Sequence, residues 1–119
     1  MSDTRKSDAD EDSLLPPVLK NPTVTYSTYL KIPELLNLQQ PRSKPNHHDE
    51  MLFIIIHQVY ELWFKQLLHE ADAAIESLNN DSILQVHKIF KRIVTIQEGL
   101  IEQLPILETM TPQDFEVFR

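Results

Sequence analysis

Chemistry in this chain centres on His57. It stands in the run His48-Asp49-Glu50-Met51-Leu52-Phe53-Ile54-Ile55-Ile56-His57-Gln58-Val59-Tyr60-Glu61-Leu62-Trp63-Phe64-Lys65, which is apolar almost all round from Met51 to Phe64. An imidazole among such side chains is either a hydrogen-bonded core histidine or a group lining a pocket. In a pocket it can supply a hydrogen bond or act as a base. Phe53 lies four residues earlier, about 40° round a helix, so its ring and the imidazole share one face. Tyr60 and Glu61 follow at i+3 and i+4. Spacing alone favours the core histidine.

Other groups carry weaker signals. His47-His48-Asp49 has the composition of a two-histidine, one-carboxylate metal site. Adjacent helical histidines diverge by about 100°, however, and Asp49 and Glu50 are better explained as acids facing the positive end of a helix dipole. A di-iron carboxylate bundle needs Glu-x-x-His, and no glutamate here has a histidine three residues on. His69 and His87 fit partly solvated faces and receive no role. Arg119 follows Phe115 by four, which puts a planar cationic fork beside an aromatic ring, an arrangement suited to bidentate capture of a carboxylate; an exposed arginine is the plainer alternative. Tyr26 and Tyr29, in a proline-flanked stretch, read as core-capping aromatics or lid-like contacts.

The elements that must position these residues are helices. The chain has one glycine in 119 residues, too few for a sheet of tight hairpins or for a phosphate-cradling loop. Residues 1–23 read as a polar, disordered leader and 24–119 as the folded part. Val18 to Tyr29 reads as extended and irregular, because Pro16, Pro17 and Pro22 oppose a helix. A short helix is expected over Ile32 to Gln39, with Pro33 in its first turn, then a linker from Gln40 to Asn46. A long helix is expected from about His47 to Asn79, roughly 50 Å at 1.5 Å per residue, and its apolar character places it at the centre of a domain. Glu61 and Lys65 are spaced for an intrahelical ion pair. Leu67, Leu68, Ala71, Ala74, Ile75 and Leu78 form the apolar side of its second half.

Asn79-Asn80 should end that helix, with Asp81 or Ser82 capping the next. This second long helix runs from Ile83 to about Gln103, with Val86, Phe90, Ile93, Val94, Leu100 and Ile101 as its apolar set. Pro105 should kink or end it. Thr111-Pro112-Gln113-Asp114 is a helix start, with Thr as N-cap and an acid three residues later. A capped helix that reaches Arg119 after barely two turns has little to pack against, so the chain reads as the N-terminal part of something longer.

Composition narrows the function classes. Without cysteine there is no disulfide framework, thiolate site or cysteine nucleophile. A net charge of −7 opposes nucleic-acid binding. No apolar run is long enough for a membrane span, the N-terminus lacks a signal-peptide core, and a cytoplasmic location fits.

Beyond periodicity, the run from His48 to Lys65 closely resembles the tryptophan 2,3-dioxygenase family. Thr25-Tyr26-Ser27-Thr28-Tyr29-Leu30 upstream, and Leu107-Glu108-Thr109-Met110-Thr111-Pro112 through Phe115 to Phe118-Arg119 downstream, match it in the same order. The resemblance covers about Val24 to Arg119. It implies an all-α, helical-bundle, cytosolic, homotetrameric enzyme that uses haem b and O2 to open the indole ring of L-tryptophan, giving N-formylkynurenine in the kynurenine pathway of tryptophan catabolism.

By resemblance, His57 is the distal-side catalytic histidine that hydrogen-bonds the indole N–H, and Phe53 packs on the indole ring. Arg119 binds the substrate carboxylate and Phe115 walls the pocket beside it, at a position where relatives often carry Tyr. Tyr26, Tyr29 and Leu30 match a segment that reaches into a neighbouring subunit's active site. The histidine that ligates haem iron is expected beyond residue 119, so none of the five histidines present is assigned as a metal ligand. The leading expectation is therefore the N-terminal, substrate-recognising part of such an enzyme. The alternatives are a non-catalytic helical oligomerisation or interaction fragment, with apolar surface seeking a partner, and an independent small-ligand binder using His57 and Arg119.

Overall fold

The computed structural model describes residues 13, 14, 16 and 24–118. The remainder of the expected leader, residues 1–23, lies outside them. Every element among the described residues is a helix: α1 (Tyr26–Leu30), α2 (Ile32–Leu35), α3 (Glu50–Asn79), α4 (Ile83–Leu107) and α5 (Pro112–Phe118). The all-α expectation holds. The chain divides into two compact units, Met1–Gln40 and Pro41–Arg119.

In the first unit, the stretch expected to be irregular contains α1. Its cause is local. Thr25 is the N-cap, with its hydroxyl accepting the Thr28 N–H at 3.2 Å, while the Thr28 hydroxyl accepts the Thr25 N–H at 3.0 Å. This reciprocal pair satisfies two otherwise orphaned donors and outweighs the upstream prolines. Lys31, at φ 54° and ψ 46°, ends α1 and starts α2. The second helix is shorter than expected, stopping at Leu35 rather than Gln39. Neither α1 nor α2 contains a buried residue.

The second unit is built on a helical hairpin. The long helix starts at Glu50, three residues later than expected, and ends at Asn79 as read from sequence. The turn lacks glycine, and Asp81 takes the left-handed conformation at φ 54°. Ser82 holds the N-cap position of α4 without a side-chain capping bond. Pro105 does not end α4 at Gln103; the helix continues two residues past the proline to Leu107. Proline costs most where it removes an interior hydrogen bond, and here it falls in the last turn.

The two long helices run antiparallel. Tyr60 Oη donates to the Leu100 carbonyl at 2.6 Å, and Arg92 Nη1 donates to Glu70 Oε1 at 3.0 Å, so numbers rise along α3 as they fall along α4. Ile56 and Ala74 of α3 and Val86, Ile89 and Leu100 of α4 are the buried apolar residues of the pair. Glu70 is only 4% exposed, and Gln66 supplies its Oε1 with a second donor at 2.9 Å. A buried carboxylate is tolerable when it is paired in this way.

The apolar faces read from sequence are wider than the buried ones. Of the second-half set of α3, Ala74 is buried and Leu67 and Ala71 are half-buried, but Leu68, Ile75 and Leu78 are exposed. On α4, Val86 and Leu100 are buried and Ile93 is half-buried, whereas Phe90, Val94 and Ile101 are exposed; Ile89, absent from the expected set, is 2% exposed. Nor is α3 enclosed as its composition implies, since Leu62, Trp63 and Phe64 are exposed. A hairpin offers each helix one partner, so only one stripe of an all-round apolar helix is covered. Glu61 and Lys65 are exposed and do not form the expected ion pair.

Candidate functional site

The linker expected between Gln40 and Asn46 folds onto the start of α3 through Glu50, which is 6% exposed. Its Oε2 accepts the Arg42 N–H at 2.9 Å, and its Oε1 accepts the Ser43 N–H at 3.0 Å and the Ser43 hydroxyl at 2.7 Å. These bonds, led by the Arg42 amide, hold the Glu50 carboxyl below the usual carboxylate range. The Ser43 oxygen in turn accepts the His47 N–H at 2.9 Å. Glu50 was expected to face the helix dipole, and it does stand in the first turn; its anchoring of the linker was not legible.

One turn into the helix, Phe53 and His57 meet as their spacing requires. Their ring centroids are 4.3 Å apart, tilted by 36°. The core-histidine reading is overturned, because His57 is exposed. Its Nδ1 lies 2.7 Å from the Phe53 carbonyl oxygen. A carbonyl can only accept, so Nδ1 carries the hydrogen, and the neutral imidazole presents Nε2 as a lone-pair acceptor. The helix thus fixes both the tautomer and the direction of one acceptor beside an aromatic ring. Such a pair suits a flat aromatic ligand that bears an N–H at its edge. Tyr60 does not join it: its hydroxyl is spent on Leu100, and its ring is 6.1 Å from that of Phe64. Glu61 is exposed.

A second cluster forms where sequence suggested a different one. His48 is exposed and takes no part. Instead His47 and Asp49 meet Asp114 of α5, with one candidate ligand atom from each within 4.8 Å of the others. The Asp49 N–H donates to His47 Nδ1 at 3.1 Å, which leaves the imidazole hydrogen on Nε2, 3.2 Å from Asp114 Oδ1. Both ring nitrogens are therefore engaged, and Nε2 has no lone pair for a metal. The arrangement is a hydrogen-bonded tie. Asp114 Oδ2 also accepts the Thr111 N–H at 2.7 Å and its hydroxyl at 2.8 Å, completing the helix start that the sequence predicted. The Thr111 amide first, then its hydroxyl, hold the Asp114 carboxyl below its usual range.

The remaining expected site residues are placed unevenly. Tyr26 is half-buried and Tyr29 and Leu30 are exposed on α1, in the first unit. The backbone of Phe115 belongs to α5, but its side chain lies outside the described residues, as does Arg119. His69 and His87 are exposed, as expected. A groove of about 600 Å³ lies between the long helices, lined by Val59, Leu62, Trp63, Gln66, Arg92 and Ile96. At 100° per residue these α3 positions fall on the side away from His57, so the groove is separate from the Phe53–His57 pair. Among the described residues, no helix is long and apolar enough to cross a membrane.

Comparison with known proteins bears on this geometry. The family model described as tryptophan 2,3-dioxygenase matches residues 17–119. The chain is 52% identical over 96 residues to a tryptophan 2,3-dioxygenase of Herpetosiphon aurantiacus, an alignment covering 81% of this chain and 37% of the relative. It is 47% identical over 100 residues to one from a Nocardioides species, covering 81% and 38% respectively. Identity to the protein of that name from Xanthomonas oryzae pv. oryzae is 49% over 96 residues, covering 81% and 32%. The chain therefore spans between about a third and two-fifths of the length of these relatives.

Proposed function

The chain belongs to the tryptophan 2,3-dioxygenase family, and from that membership we propose that it is the substrate-recognising, N-terminal part of a haem-dependent enzyme. The proposed reaction opens the indole ring of L-tryptophan with O2 to give N-formylkynurenine, in tryptophan catabolism. The observation that carries this reading is the Phe53–His57 pair, with its imidazole hydrogen tied to the Phe53 carbonyl. Indole is a flat aromatic with one edge N–H, and Nε2 of His57 is a fixed acceptor beside an aromatic face. Phe53 packs on the indole ring, His57 accepts its N–H, Phe115 walls the pocket and Arg119 pairs with the substrate carboxylate. A site closed to water strengthens both polar contacts, because neither then competes with solvent.

Haem b, when bound, supplies the oxygen chemistry. The residues described here fit the face that substrate lies against and not the iron ligand. Both nitrogens of His47 are engaged by protein groups, His57 is proposed to face the indole, and the resemblance assigns none of His48, His69 and His87 to the iron. The histidine that would hold the haem iron is assigned to the length of the relatives that this chain does not span. The proposed assembly is a cytoplasmic homotetramer, in which Tyr26, Tyr29 and Leu30 of one subunit complete the site of the next.

Imidazole ¹⁵N chemical shifts test the carrying observation. At a pH where His57 is neutral, Nδ1 should be the protonated nitrogen. L-tryptophan should move the Nε2 resonance, and 1-methyl-L-tryptophan, which has no indole N–H, should not. A resonance pattern of the opposite tautomer, or equal shifts with both ligands, would contradict the reading.

A further inference from the structure

The proposed site draws on two helices: α3 carries Phe53 and His57, and α5 carries Phe115 and leads directly into Arg119. With seven residues, α5 is too short to be stable through its own hydrogen bonds and must be held by others. The cluster at the start of α3 provides such a hold. His47 stands three residues before α3, receives the Asp49 N–H on Nδ1 and presents Nε2–H to Asp114. Asp114 is the residue whose other oxygen caps α5 through Thr111. One carboxylate thus closes the start of α5 and joins it to the start of α3. The Ser43–Glu50 network fixes the backbone of His47 from the opposite side.

We propose that His47 is a positioning residue: through Asp114 it sets α5, and hence the carboxylate-binding Arg119, relative to the indole-binding pair on α3. This rests on the roles proposed above for Arg119 and His57. The chemistry demands a neutral imidazole in the Nε2–H tautomer, the reverse of His57, and each tautomer is imposed by a backbone group of the same short stretch. A carboxylate pair is sensitive to small errors of placement, so loosening α5 weakens capture of the carboxylate and spares contacts to the ring.

The variants His47→Ala and His47→Gln separate this from a general structural role, because a glutamine amide can still donate to Asp114. In His47→Ala, amide hydrogen exchange over residues 112–118 should speed by about tenfold relative to residues 83–100, and His47→Gln should recover most of the protection. The dissociation constant for L-tryptophan should rise by about tenfold in His47→Ala, with that for tryptamine, which lacks the carboxylate, unchanged. Unchanged exchange would overturn the tie. Equal weakening of both ligands, or no weakening of either, would overturn the positioning role. A wild-type chain that does not prefer L-tryptophan to tryptamine would instead refute the role of Arg119, and the positioning claim with it.

Discussion

Three side chains near the start of α3 show how one short stretch sets several chemical states. His47 and His57 are both bound to backbone groups of nearby residues, yet an N–H meets one and a carbonyl the other, so they hold opposite tautomers. Glu50 meets only donors and stays ionised. Its lowered pKa links folding to pH with a definite sign. A carboxyl whose folded pKa is depressed stabilises the fold above its unfolded value of about 4.3, and that stability is lost as pH falls through the folded value. Urea midpoints should therefore fall as the wild type is acidified below about pH 4. Glu50→Gln should be weaker at pH 7 and lose less on acidification, and parallel losses in both proteins would show that Glu50 is not a source of the linkage. Of these groups only the Phe53–His57 pair was legible, because i, i+4 spacing brings two side chains together wherever the helix runs. The partnership of His47 with Asp114 joins residues far apart in the chain, and no local pattern announces it.

Helix existence was readable from hydrophobic period, and helix ends from cap chemistry, more fully than the buried face was. Thr111-Pro112-Gln113-Asp114 predicted a capped start that the hydrogen bonds bear out. Thr25 and Thr28 make an equally local cap, but α1 is only five residues long and the surrounding prolines mask its signal. The sides of α3 and α4 were drawn too wide because an apolar residue reports only that it prefers burial, while the hairpin decides which stripe meets a partner. Within α4, Gly99 is a point of weakness with no evident packing role, since a Cβ built there meets nothing within 4 Å. Gly99→Ala should stabilise the hairpin by roughly 0.5–1 kcal/mol, by lowering the entropy of the unfolded chain and favouring the helix. A lowered thermal midpoint would mean that the backbone at this position needs glycine's freedom.

For the whole molecule, the apolar surface left on the hairpin is consistent with the coverage of the relatives. Trp63 is 40% exposed and Leu68 68% exposed, on a helix composed for a protein interior. The proposed function places against this surface the length of the relatives that the chain does not span, together with neighbouring subunits. The same proposal assigns the iron ligand to that length. The most direct test grafts this chain in place of the matching residues of the Herpetosiphon aurantiacus relative, then supplies haem, a reductant, L-tryptophan and O2. Formation of N-formylkynurenine is expected, falling by at least about tenfold with His57→Ala, the loss of one well-placed hydrogen bond. A graft that assembles and holds haem yet yields no product would contradict the account.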